Sequence, residues 1–170
     1  MTTIAVRHGI IAADSRVTVD TEAGGTRVFR CQKLYEVRQH GRKRAIVALA
    51  GGAFDGIEFL EWIKGPGKEP PQRLIDGQAE FTALVMNHDG LFEYDRWCRP
   101  ERVIEPFYAV GSGAKAALGA LHAGKSALDA VRIACKIDPF SGPPFVTMTL
   151  ARTAQPRPSA AAPARRKPRR

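Results

Sequence analysis

The first fifty residues leave little choice of architecture, because short apolar or β-branched runs alternate with turn signals and none is long enough for a helix. Ile4-Ala5-Val6-Arg7 and Ile10-Ile11-Ala12-Ala13-Asp14 flank His8-Gly9, which predicts two strands joined by a tight turn. Arg16 to Val19 and Thr26 to Arg30 make a second β-rich pair around Glu22-Ala23-Gly24-Gly25. Lys33 to Val37 and Ala45 to Ala50 make a third around the basic turn Gly41-Arg42-Lys43-Arg44, and Gly51-Gly52 closes the series. The spacing predicts a meandering sheet with the N-terminus pinned in it.

Further on, Phe54, Ile57, Phe59, Leu60, Trp62 and Ile63 recur at helical spacings among Asp55, Glu58 and Glu61, predicting an amphipathic helix. Gly65-Pro66-Gly67 ends it, and residues 65–73 read as a loop. Phe81 to Met86 and Leu91 to Tyr94 flank His88-Asp89-Gly90 as a hairpin, and Phe107 to Val110 is a further strand. Helices are expected from Ser112 to about His122 and from Ser126 to about Ile137, with Gly124 as a C-cap signal and Ser126 as an N-cap. Phe145 to Leu150 closes the domain as a strand. This order predicts an α+β fold in which a sheet packs on a sheet or on helices.

The 170 residues suit one domain, and 44% apolar with 25% charged residues is the balance of a globular protein. No apolar run approaches the roughly 20 residues that span a bilayer. Arg7, Asp14 and Arg16 interrupt the stretch where a signal peptide would be apolar, so a cytoplasmic location is expected. Cys31, Cys98 and Cys135 are odd in number and lack CxxC spacing, as expected of reduced structural thiols. Most of the net charge of +9 sits in residues 152–170, which hold seven basic side chains and no acidic one among many Pro and Ala. Such a composition cannot bury enough surface to order itself. The expected organisation is a domain over 1–151 and a disordered basic tail over 152–170, read either as a solvated appendage or as an electrostatic contact for nucleic acid.

The chain opens Met1-Thr2-Thr3. Loss of one methionine would give Thr2 both a hydroxyl and a free amine, and an amine can activate a hydroxyl nucleophile by taking its proton. An α-amine has a pKa near about 8, which suits a general base.

Read with the rest of the chain, this start resembles the proteasome β-subunit superfamily, including HslV-like and smaller phage or bacterial proteasome-like N-terminal nucleophile hydrolases. The markers are Thr-Thr-Ile, Ile-Ala-Ala-Asp14-Ser-Arg, Lys33-Leu-Tyr-Glu-Val, Leu-Ala-Gly51-Gly52, Tyr-Ala-Val-Gly111-Ser112-Gly113 and Asp138-Pro-Phe-Ser141-Gly142, in order over nearly all of residues 2–150. The resemblance implies an αββα four-layer sandwich with a reduced helical layer, and a threonine-type endopeptidase with Thr2 as nucleophile. It implies that Lys33 favours the deprotonated hydroxyl, that Asp14 holds this lysine, and that the Gly51 N–H faces the oxyanion, a contact often worth about 3–4 kcal/mol. Ser112, Asp138 and Ser141 match the group that positions the amine. Val17, Cys31, Leu49 and Ala53 match substrate-pocket positions, and their apolar or small character implies cleavage after apolar residues. No metal or organic cofactor is implied. Polypeptide substrates and a self-compartmentalised homo-oligomeric ring are, with an ATP-dependent unfoldase as a partner class.

Gly111-Ser112-Gly113-Ala114-Lys115-Ala116 also fits G-x-G-x-x-A, but without the βαβ setting a dinucleotide site needs. The chain departs from the larger family members in the short stretch between Gly52 and Phe81 and in the brief His8-Gly9 turn. Pro143-Pro144 also removes two backbone donors beside the site. These departures motivate the alternative, a catalytically weak or inactive structural subunit tethered to nucleic acid by its tail.

Overall fold

The computed structural model describes residues 1–20, 24–66, 69–76 and 80–150. Three strand pairs open the chain: β1 (Thr3–Arg7) with β2 (Ile10–Ala13), β3 (Arg16–Asp20) with β4 (Thr26–Arg30), and β5 (Leu34–Gln39) with β6 (Lys43–Gly51). Helix α1 (Ala53–Lys64) and the short α2 (Gln72–Asp76) follow. β7 (Phe81–Asn87), β8 (Gly90–Tyr94), β9 (Pro100–Val103) and β10 (Phe107–Gly111) then precede α3 (Ala114–His122), α4 (Ala127–Ile137) and β11 (Val146–Thr149). The turn residues Glu22 and Ala23, Gly67 and the basic tail over 152–170 lie outside the described residues.

The three opening pairs do not make the single meander that their spacing predicts. β1 and β2 enter a four-stranded sheet ordered β10-β1-β2-β11, β5 and β6 begin a five-stranded sheet ordered β5-β6-β7-β8-β9, and β3 with β4 forms a separate ribbon. Burial explains the partition. β1 and the middle of β6 are apolar on both faces and need cover on both, whereas every residue of β4 is exposed.

Side chains alternate across a strand, and here the alternation sorts residues into three cores. Ile4, Val6, Ile11 and Ala13 meet Ile46, Ala48, Ala50 and Leu84 between the two sheets. Ala45, Val47, Ala83 and Val85 face the other way, under Phe59, Leu60 and Ile63 of α1. Ala5, Ala12 and Ala109 pack beneath Ala117, Leu121, Val131 and Ala134 of α3 and α4; the small side chains let these helices lie close to the sheet. The result is a four-layer αββα sandwich whose outer layer over the five-stranded sheet is, among the described residues, only α1 and α2.

Local signals account for most boundaries. Ser126 caps α4 by accepting the Asp129 N–H at 3.1 Å. Lys125 N–H to Ala120 O and Gly124 N–H to Leu121 O, both 3.0 Å, close α3 in a Schellman pattern. α3 begins at Ala114 rather than Ser112, because Gly111-Ser112-Gly113 folds around the chain start. β9 and α2 go beyond the expected elements. β9 is an edge strand that opens on Pro100, a residue such strands tolerate, and α2 overlaps the end of the segment expected to be a loop. β10 and β11 run antiparallel to β1 and β2, so the Gly111–Ala116 segment lacks the parallel crossover of a dinucleotide site. Among the described residues no helix is long and apolar enough to cross a membrane.

Candidate active site

β1 is an interior strand, and its pairing holds the chain start in place. Thr3 lies opposite Gly111 of β10, and its carbonyl accepts the Asp14 N–H at 3.1 Å. Thr2 is thereby only 4% exposed, while Met1 is 47% exposed. Gly111 permits the approach: its φ is +95°, and a Cβ there would fall 2.1 Å from the Thr2 carbonyl oxygen.

Asp14 forms one hub beside this terminus. Its Oδ1 accepts Lys33 Nζ at 2.8 Å and the Thr3 N–H at 2.9 Å, and its Oδ2 accepts the Gly142 N–H at 2.9 Å and the Arg16 N–H at 3.0 Å. Four donors on two oxygens match what an ionised carboxylate can accept, so this carboxylate, buried at 1% exposure, is fully satisfied. Lys33 is buried as well, and it directs its other protons to Arg16 O at 2.7 Å and Met1 O at 3.2 Å.

Asp138 forms the second hub from the C-cap of α4. The hydroxyls of Ser112 and Ser141 each donate to Oδ2 at 2.7 Å, and the Phe140 N–H donates to Oδ1 at 3.1 Å. Burial opposes charge on Asp138, but the hydrogen bonds from Ser112, Ser141 and Phe140 outweigh it and hold the carboxyl below its ordinary range. Ser112 Oγ also accepts the Thr2 N–H at 3.3 Å. The backbone donors that reach the two carboxylates from this loop belong to Phe140 and Gly142, so Pro143 and Pro144 take neither away.

Two cavities open beside Thr2. The larger, about 560 Å³, is bounded by Thr2, Gly51, Phe81, Gly111 and Ser112. The smaller, about 100 Å³, brings Val17, Cys31, Leu49 and Ala53 together with Thr2 and Lys33. Gly51 ends β6 and borders both cavities. Burial pushes the Cys31 thiol up despite the nearby Lys33, so it stays protonated and adds no charge to the smaller cavity. The cation of Lys33 is already matched by Asp14, leaving that cavity apolar in character. Among the described residues, no three His, Cys, Asp or Glu side chains gather as a metal site would require.

No protein-family model and no curated protein matches the chain. Solved structures do. Eukaryotic HslV from Trypanosoma brucei superposes with a TM-score of 0.61 at 17% identity, covering 86% of this chain and 97% of that one. The chain has the HslV fold. Thiobacillus denitrificans BPH shares it, with a TM-score of 0.59 at 21% identity over 89% of this chain and 98% of its own. The same protein in complex with epoxomicin gives 0.62 at 20% identity over 88% and 97%. An HslV-like fold at this identity accounts for the four layers, and the chemistry of the site rests on the residues themselves.

Within the HslV-like fold, every residue expected at the site from sequence lies at this one end of the sandwich. Other residues at this end carry weaker signals in the sequence. Arg16 donates through Nη1 to Pro139 O at 3.0 Å, and a Cβ on Gly142 would fall 2.6 Å from its guanidinium. Its place two residues after Asp14 was the available signal. Tyr35 and Ile57 border the smaller cavity, but a strand aromatic and an apolar helix residue read first as core. Thr3 stands in the Thr-Thr-Ile start, but nothing in that run gives its hydroxyl a role.

Proposed function

We propose that the protein is a threonine-type endopeptidase whose nucleophile is Thr2, freed by removal of Met1. The observation that carries this reading is a buried threonine at the head of an interior strand, its nitrogen on the Ser112–Asp138 pair, between two cavities and beside the Lys33–Asp14 pair. While Met1 remains, the Thr2 nitrogen is an amide and has no basicity, and the Met1 carbonyl occupies one proton of Lys33. Trimming converts that nitrogen into an amine already held by Ser112.

In the proposed reaction, Thr2 Oγ attacks the scissile carbonyl carbon and its proton passes to the Thr2 amine, directly or through water. The carbonyl electron pair moves onto oxygen, where the Gly51 N–H stabilises it. Collapse breaks the C–N bond, the amine returns the proton to the leaving nitrogen, and water then hydrolyses the Thr2 ester. Lys33 favours the deprotonated hydroxyl. The smaller cavity, with Val17, Cys31, Leu49 and Ala53, receives the side chain before the scissile bond and favours aliphatic ones.

Intact-mass spectrometry before and after treatment with a peptide epoxyketone tests this reading. Such a ligand offers one electrophilic carbon to the hydroxyl and another to the free amine, so it reports on both. The expected result is a chain lacking Met1 that gains one ligand, with no gain in Thr2→Ala. A trimmed chain that gains nothing would refute the assignment. The epoxomicin complex of Thiobacillus denitrificans BPH supports the choice of probe.

The proposal includes assembly into a homo-oligomeric ring that encloses the sites. Phe54 and Ile57 of α1, 81% and 52% exposed, support it, Ile57 also bordering the smaller cavity, since exposed apolar surface of this kind marks contacts. Light scattering is expected to give an oligomer mass, and a monomer at micromolar concentration would argue against the ring. Polypeptides delivered by an ATP-dependent unfoldase would be the substrates, in the cytoplasm.

A further inference from the structure

The groups of the proposed site fall into two halves, one built on Asp14 with Lys33 and the other on Asp138 with Ser112 and Ser141. We propose that Thr3 is the positioning residue that locks the two halves to each other, an inference that rests on the threonine-peptidase reading. Its backbone N–H donates to Asp14 Oδ1 at 2.9 Å, the oxygen that also receives Lys33 Nζ. Its hydroxyl lies 2.7 Å from Ser141 Oγ, and Ser141 donates to Asp138 Oδ2 at 2.7 Å. That same oxygen receives Ser112 Oγ, the acceptor of the Thr2 N–H.

Proton counting fixes the direction of this chain. Ser141 has one hydroxyl proton, and once it points at Asp138 the oxygen offers only lone pairs to Thr3. Thr3 is therefore the donor, and Thr3, Ser141 and Asp138 form a one-way relay of hydrogen bonds ending on a carboxylate, each polarising the next. Thr3 is 0% exposed, so water does not compete for either end.

Packing alone does not account for a hydroxyl here. Valine has the same shape and an equal preference for a strand, and β1 is otherwise apolar from Ile4 to Val6. The hydrogen-bond partner of the side chain is Ser141 Oγ at 2.7 Å, and Gly113 leaves room for the group there: a Cβ on Gly113 would lie 2.0 Å from Thr3 Oγ1 and 3.3 Å from Asp138 Oδ2. Because Thr3 shares a peptide bond with Thr2, a shift of either half is transmitted to the nucleophile.

The test uses the full-length chain, with Met1 removal verified by mass, and follows the rate of Thr2 labelling by a peptide epoxyketone together with the thermal midpoint. Thr3→Val keeps the shape and removes the donor, while Thr3→Ser keeps the donor. Thr3→Val is expected to lower the maximal labelling rate roughly tenfold to a hundredfold, as misplacement of reacting groups does, with the half-saturating ligand concentration unchanged. Thr3→Ser is expected to restore the rate lost in Thr3→Val. An unchanged maximal rate in Thr3→Val would overturn the inference, as would equal losses in Thr3→Val and Thr3→Ser. If Thr3→Val does not fold, Thr3→Ala is measured in its place; failure of both to fold while Thr3→Ser folds would make the hydroxyl purely structural and overturn positioning. A wild-type chain that is trimmed yet unlabelled refutes the peptidase reading itself and the inference with it, an outcome distinct from any difference among the variants.

Discussion

Asp14→Asn is expected to lower the stability of the folded protein by about 3–5 kcal/mol, the cost typical of removing one partner from a buried ion pair. Asp14 and Lys33 meet at 2.8 Å with side chains 0% and 4% exposed. Asparagine would leave the Lys33 ammonium buried without its counter-charge. It would also present an NH₂ group where the carboxylate now has an accepting oxygen, setting donor against donor at either the Thr3 and Lys33 pair or the Arg16 and Gly142 pair. Lys33→Met is expected to cost less, because Asp14 keeps three backbone N–H donors when the lysine is gone. Urea unfolding of wild type and both variants measures the difference. A loss below about 1 kcal/mol in Asp14→Asn, the scale of an exposed pair, would show that the carboxylate does not hold the terminus together.

Gly51→Ala is expected to slow Thr2 labelling by about 10²–10³-fold, the loss typical of removing an oxyanion donor. The residue has φ of +97°, and an added Cβ would fall 2.2 Å from the Glu80 carbonyl oxygen and 2.8 Å from Phe81 Cα. Both neighbours are backbone and cannot swing aside. Either the β6–β7 end parts or the Gly51 peptide turns, and in both cases the backbone that borders the cavity beside Thr2 is displaced, taking the proposed oxyanion donor with it. Strain of this kind costs on the order of 1–3 kcal/mol, so labelling is measured below the thermal midpoint. Gly119→Ala in α3 is the control, since a Cβ there meets nothing within 4 Å. Wild-type labelling kinetics in Gly51→Ala would remove Gly51 from the mechanism.

The strands and helices were legible in the sequence because their signals are local. Ile4, Val6, Ile11 and Ala13 alternate with Ala5 and Ala12, and that alternation alone separates the inter-sheet core from the helix-facing core. The division of the opening hairpins among three sheets was not legible, because it depends on β10 and β11 arriving from far along the chain to flank β1 and β2. β9 was hidden by its charged residues and opening proline, which suit an edge strand but imitate a loop. The candidate site divides similarly. Asp14, Lys33, Gly51, Ser112, Asp138 and Ser141 stand within short recognisable runs, whereas Thr3 is an ordinary strand residue whose hydroxyl partner is 138 positions away. Gly113 belongs to the Tyr-Ala-Val-Gly111-Ser112-Gly113 run, but only the folded chain shows a threonine hydroxyl in the space its missing side chain leaves.

Those separations also govern timing. Thr2 meets Ser112 across 110 positions, and β2 is flanked by β11 only when Val146 to Thr149 is in place. Contacts this distant in sequence form late and slowly. A chain still emerging from the ribosome therefore has its first residues long before it has a site. If Thr2 cleaves peptides, the enzyme is mute throughout its own synthesis and becomes competent only once nearly the whole domain has been made.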